Sequence, residues 1–235
     1  MPNESINLKP LKINGESTVD SVVSSIRDAL STGMLNPGDR IPSEAVLVQE
    51  LGVSRSTVRE AMKVLQAYGV VDIKQGNGTF ITKNCDDVST KAFIMRYTLL
   101  QPTEDECWQF RVLFEELITR NAILNAEPED IRNMQDNLRK MKMMRANSAV
   151  TAKLDVEFHL LLGKLTPNRL IRSTYAVAIS FLEPTFCRNH SIQNHVDKTI
   201  AVHSKTIDYI VKKDSSEAAI SDILKMNENT WLRNP

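Results

Sequence analysis

Cysteine is scarce in this chain. Its 235 residues include three, Cys85, Cys107 and Cys187, odd in number and widely spaced. That argues against a disulfide framework or a CxxC zinc knuckle and fits a reducing compartment, so a cytoplasmic protein is expected. No apolar run approaches the roughly 20 residues of a membrane span. Met1 to Asn14 is polar and mixed and carries no signal-peptide core. Charge of either sign is not in excess: 29 Lys and Arg stand against 29 Asp and Glu. A non-specific nucleic-acid coater needs a basic surplus, so that class is disfavoured. Residues 1–83 hold nine basic and nine acidic residues. A specific nucleic-acid reader there would depend on where its charges sit. There is no nucleophile elbow, phosphate loop or GxGxxG, and no internal repeat.

One stretch stands out, Gly52 to Met62. Ser54 is a good N-cap, because its hydroxyl can accept from a free amide of the first turn. Val58, Ala61, Met62 and Leu65 follow at i, i+3, i+4 and i+7 and predict an apolar, inward face. Arg55 and Arg59 share another face, with Ser56 and Thr57 at the helix start. A helix entering a major groove by its N-terminal end needs guanidinium forks, short hydroxyls and an apolar back. The alternative is a surface helix with two solvated arginines.

The flanks favour the groove reading. A loose arm, residues 1–16, precedes a helix with Val19, Val22, Val23, Ile26 and Leu30 inward and a stop at Gly33. Ser43 caps a second helix, with Leu47 and Leu51 inward and a break at Gly52. The third ends near Gly69. Val70–Lys74 and Thr79–Ile81 are β-prone, and Gln75-Gly76-Asn77-Gly78 joins them as a hairpin. Three helices and a Gly-tipped hairpin predict a winged helix-turn-helix over residues 17–83, whose wing glycines let the backbone approach a phosphate or minor groove.

Residues 84–90 read as a linker, and 91–232 as an all-α bundle of six to seven helices. Thr103 with Glu106 forms a capping box. Pro128 opens another helix, and Met141, Met143 and Met144 are expected as packing residues. A later helix is predicted to end near Phe186, with residues 187–194 as a polar loop that leaves His190 and His195 exposed. Asp214 with Glu217 is the expected cap of the last helix.

Polar residues interrupt the apolar stripes of this bundle. Asp155 and His159 lie at i, i+4 beside Phe158 and Leu162. His203 lies with Ile200, Ile207 and Ile210, Asn227 with Ile220 and Ile223, and Arg111 between Phe110 and Phe114. Buried polar groups must be paired, hydrogen-bonded or metal-bound, so five of them suggest one polar cavity. Two histidines and a carboxylate suit zinc, nickel or manganese. On the Asp-x-x-x-His spacing alone, a hydrogen-bonded core histidine is a commoner reading than a ligand. Arg111 is either a carboxylate clamp or the partner of Glu115 one turn on.

The motifs Ile41-Pro42-Ser43-Glu44, Leu51 to Ala61, Gly69-Val70-Val71 and Gly76 to Ile81 together resemble the DNA-binding domain of GntR-family bacterial transcription regulators. The resemblance implies that Arg55, Ser56, Thr57 and Arg59 contact DNA from the recognition helix and Gly76 from the wing. Ala45 departs from the arginine that several FadR-type members carry there, so their operator does not transfer. Asp155 to His159, Val202 to Ile207 and Arg111 to Glu115 look like the FadR-subfamily effector domain. That likeness implies Asp155, His159 and His203 as metal ligands. The family's fourth ligand would fall on Lys225 or Met226 and is missing, with Asn227 the nearest inward polar residue. It also implies a small organic or sugar acid as effector at Arg111 and Asn227, and a homodimer on a pseudo-palindromic operator, repressing until the acid binds. Two other readings compete. One is a metal-dependent enzyme using Asp155, His159 and His203; the other is a metal-free dimerising regulator without effector.

Overall fold

The computed structural model describes residues 17–83 and 91–231. The chain divides into two compact units, Met1–Ser89 and Thr90–Pro235.

In the first unit, α1 (Thr18–Ser31), α2 (Glu44–Leu51) and α3 (Arg55–Ala67) precede a hairpin of β1 (Val71–Lys74) and β2 (Gly78–Ile81). Each helix begins on a serine in extended conformation. Ser17, Ser43 and Ser54 accept from the amides of Asp20, Val46 and Thr57. Such caps each contribute about 1 kcal/mol. Gly52 closes α2 with φ +69°, a left-handed geometry that a side chain resists, and so turns the chain tightly into α3. Val22, Ile26, Leu47, Leu51, Val58, Ala61 and Leu65 close the core between the helices. Fully burying each larger aliphatic side chain stabilises by about 1.5–3 kcal/mol. The strands pair antiparallel from Val71 opposite Ile81 to Lys74 opposite Gly78. Asp39 and Ile41 bond to the far edge of β2, through Ile81 N to Asp39 O and Ile41 N to Thr79 O. Strand β2 is thereby paired on both of its edges.

The second unit is wholly helical. It comprises α4 (Lys91–Leu99), α5 (Glu104–Asn125), α6 (Pro128–Met143), α7 (Ser148–Lys164), α8 (Arg169–His190), α9 (His195–Lys212) and α10 (Glu217–Thr230). The Thr103–Glu106 capping box opens α5. Ile118, Ile123, Met134, Phe158, Leu162, Ile179, Leu182, Phe186, Ile207 and Ile220 form the core. Helices α7 and α8 pack closely at Gly163, where a Cβ would stand 2.7 Å from the Tyr175 ring.

Three local expectations are corrected. First, α8 passes through Pro184 and continues to His190. Leu182, Phe186, Asn189 and His190 maintain a buried helical face, and that packing outweighs the backbone bond the proline removes. The polar composition of residues 187–190 concealed this face. Second, Ser216 rather than Asp214 caps α10, accepting from Ala219 N, while Asp214 Oδ1 accepts from Ser216 N in the turn before it. Third, Met141 is buried in the bundle, but Met143 and Met144 are exposed past the last packed turn of α6.

Candidate functional site

The first unit presents α3 by its N-terminal end. Arg55, Ser56 and Arg59 are exposed and Thr57 is half-buried. The Ser54 hydroxyl lies 2.8 Å from both the Ser56 and Thr57 hydroxyls, so the helix start is a connected cluster of donors and acceptors. Arg59 Nε donates to Glu44 Oε2 at 2.8 Å. Both groups are largely in water, so the pair is worth at most about 1 kcal/mol, and it can exchange for a stronger anion. Gly76, at the exposed tip of the wing, has φ +78° and open space where a Cβ would be. Gly78 is different, because a Cβ there would meet the Arg40 guanidinium at 2.9 Å.

The second unit brings the stripe-interrupting residues together. Arg111 and Glu115 come from α5, Asp155 and His159 from α7, His203 from α9 and Asn227 from α10. All are buried, Arg111 to 5% exposure and Glu115 to 2%. Arg111 Nε donates to Glu115 Oε1 at 2.7 Å, the intrahelical pair that the i, i+4 spacing allowed. The Arg111 Nη2 atom lies 3.1 Å from His159 Nε2. A guanidinium only donates, so this ring nitrogen carries a lone pair and the proton sits on Nδ1, 3.1 Å from the Tyr175 hydroxyl. Asn227 Nδ2 donates to Glu115 Oε2 at 3.3 Å.

Asp155 is the hub. His203 Nε2 and His159 Nε2 approach its Oδ1 at 3.1 and 3.4 Å, close enough for hydrogen bonds but not aligned for them. Among the described residues, Asp155 Oδ1 and His203 Nδ1 are buried without a hydrogen-bond partner. One ligand atom from each of Asp155, His159 and His203 lies within 4.8 Å of the others. The permanently charged groups here are one guanidinium and two carboxylates, which leave a negative charge before the histidines are counted. Convergent lone pairs, an unpaired carboxylate oxygen and a deficit of positive charge together fit a divalent transition-metal ion.

Burial on its own would raise the Asp155 carboxyl, but the three histidines around it outweigh burial and hold it well below its usual range. Burial also depresses His203, more than Asp155 raises it. The imidazole is therefore kept neutral, the form that ligates. Burial raises Glu115 as well, yet Arg111 and then His159 bring it below its ordinary value.

Lys225, where the spacing from His203 would place a fourth ligand, is exposed, and Met226 is half-buried. A small cavity of about 10 Å³ adjoins the hub, lined by Arg111, Asp155, His195, Thr199, His203 and Asn227 among others. That is room for one water.

Two histidines were misplaced by the sequence reading. His190 is buried in the last turn of α8, with Nε2 2.8 Å from Asp155 Oδ2 and Nδ1 2.9 Å from Thr151 Oγ1. His195 is buried at the start of α9 and faces the cavity. The available signal was His190 at i+4 from Phe186, which extends the α8 stripe by one turn.

Residues 18–81 match the family model described as bacterial regulatory proteins, gntR family, and residues 106–221 match the FCD domain. The HTH-type transcriptional regulator LutR of Bacillus subtilis is 31% identical over 173 residues, 72% of this chain and 78% of that protein. The Uxu operon transcriptional regulator of Escherichia coli is 27% identical, over 83% of this chain and 79% of that protein. A solved Streptococcus agalactiae GntR structure superposes with a TM-score of 0.66 at 21% identity, covering 90% of this chain and 97% of that one. That last likeness concerns the fold alone. With a serine-capped recognition helix and wing in one unit and a buried polar centre in the other, the chain belongs to the GntR family of bacterial transcription regulators, as a ligand-responsive DNA-binding member with an effector domain of the FCD type.

Proposed function

We propose that this regulator senses a small organic or sugar acid through a divalent metal ion held by Asp155, His159 and His203. The observation that carries the reading is the unpaired Asp155 Oδ1 at the convergence of two imidazoles. When bound, the ion supplies a Lewis-acidic centre that an acid's carboxylate can join. Arg111 supplies the guanidinium fork for that carboxylate, and Asn227 orients it from α10. The present cavity holds about one water, so acid binding requires the Arg111 and Asn227 walls to part. That displacement is the natural origin of a signal.

On the DNA side, Arg55, Ser56, Thr57 and Arg59 read or hold a pseudo-palindromic operator, and Gly76 lets the wing approach its backbone. Two copies are required to cover two half-sites about one helical turn apart. The NanR proteins that this chain resembles at 23–24% identity are named repressors; by analogy, acid binding here relieves repression. Such a role needs no catalytic turnover, and Glu157, the remaining carboxylate near the hub in sequence, lies on the exposed face of α7.

The test is thermal unfolding of the chelated full-length protein with divalent metals and small acids restored singly and in pairs. Native-state binding raises Tm by linkage. An acid that stabilises only together with metal supports the reading. Stabilisation by acid alone would leave Arg111 as the anchor and remove the ion, an outcome that the Arg111–His159 bond already makes physically reasonable. No shift with any combination defeats the effector assignment.

A further inference from the structure

The centre has three converging ligands, lacks the fourth that the family resemblance implies, and has its carboxylate held from behind. His190 reaches the centre through Asp155 Oδ2, at 2.8 Å, while Asp155 Oδ1 faces His159 and His203. The His190 side chain is wholly buried. An ionised carboxylate only accepts, so His190 Nε2 carries the proton. Thr151 Oγ1 stands 2.9 Å from Nδ1 and within 3.1–3.2 Å of the carbonyls of Ser148 and Asn147. Whether that hydroxyl donates to the ring or to the backbone, the Nε2 proton stays on the Asp155 side. Thr151 and Asp155 are one turn apart on α7, so the ring from α8 bridges two successive turns of the neighbouring helix.

We propose that His190 is a positioning residue of the metal centre: it clamps Asp155 Oδ2 so that Oδ1 alone is turned toward the ion, in place of the orientation a fourth ligand from α10 would impose. The inference rests on the metal reading above. A lone aspartate in a three-ligand set can rotate or swing to bidentate contact, and each alternative dilutes the productive geometry. Fixing one oxygen with a buried donor removes those alternatives. Partners of this kind change metal affinity by about 10–100-fold when removed.

The experiment titrates chelated full-length protein with cobalt(II), read by its visible absorption, and with zinc(II) in competition with a chromophoric chelator. His190→Ala should weaken both ions by about 10–100-fold while the cobalt spectrum at saturation keeps its shape. His190→Gln, whose amide can still donate to Asp155, should recover most of the affinity. Thr151→Val keeps the ring and its packing but withdraws the hydroxyl that holds Nδ1 from the far side, and should fall between the two. It also keeps the test open should His190→Ala fail to fold, as checked by the Tm of the metal-free variants. Equal affinity in all variants overturns the clamp while the ion reading stands. A cobalt spectrum that changes in both His190→Ala and His190→Gln, without rescue by Gln, makes His190 itself a ligand and overturns the clamp differently. Wild-type protein that takes up neither ion ends the metal reading, and the clamp with it.

Discussion

Single side chains set most of what this molecule can sense. Arg111 is held by Glu115 and in turn occupies the His159 lone pair that a metal would use. Replacing Arg111 with Met leaves the buried Glu115 carboxylate without its counter-charge, and should destabilise the metal-free protein by about 3–5 kcal/mol in urea unfolding. Adding Glu115→Gln should recover much of that loss; no recovery would mean that the pair is not what Arg111 contributes. His195 supplies a pH test. Burial, and then the neighbouring His190, lower it from its ordinary 6.5 to about 4. The unfolded chain therefore binds its proton first. The stability tied to neutral His195 is complete above pH 6.5 and is lost as pH falls from there toward 4. In chelated protein, His195→Gln should flatten the fall in Tm across that window, and an unchanged slope would assign it elsewhere. At the DNA surface, Arg55→Ala should cost about 1–3 kcal/mol of operator binding if it pairs with a base, or reduce mainly the salt slope if it holds a phosphate. Unchanged binding in both Arg55→Ala and Arg59→Ala would remove α3 as the recognition helix.

At the scale of elements, the contact of α7 with α8 carries the polar centre. Both sides of the clamp, Asp155 with Thr151 and His190, lie on this pair, as do His159 and its Tyr175 partner. Gly163 sets its spacing. Alanine in a helix is favoured over glycine by about 1 kcal/mol, but here its Cβ would stand 2.7 Å from a fully buried tyrosine ring. Overpacking typically costs about 1–3 kcal/mol. Gly163→Ala should therefore lower Tm and weaken zinc binding together, because the ring that must move carries the hydroxyl facing His159. A rise in Tm would show that the bundle can yield there. In the first unit the comparable device is Gly52, whose left-handed backbone sets α3 against α2 and brings Glu44 within reach of Arg59.

For the whole molecule, a formal net charge of zero supplies no general field for DNA, so the proposed operator contacts rest on a few placed arginines. Raising salt should weaken operator binding with a slope set by that small number of phosphate contacts. Addition of metal and acid should change affinity far more than it changes that slope. Among the described residues no helix is long and apolar enough to cross a membrane. The two units thus divide the work chemically. One offers exposed donors to a polyanion, and the other buries unbalanced charge for a small ligand.

Much of this was written in local order along the chain. Serine caps, the Gly52 stop, the apolar period of α3 and the Gly-rich hairpin all act within a few residues of one another, so the winged unit was legible directly. The Arg111–Glu115 pair and the Asp155–His159 spacing were legible for the same reason, since both partners share one helix. What sequence period could not show was convergence between helices. His190 looked like loop because its own turn of α8 is polar, and it becomes a site residue only where α8 packs along α7 and sets its ring against Asp155. Likewise Asn227 acquired a partner, Glu115, 112 positions earlier. Local sequence determined which side chains turn inward; only the packing of α5, α7, α8, α9 and α10 decided which of them meet, because a buried polar atom must find its partner wherever the core places one.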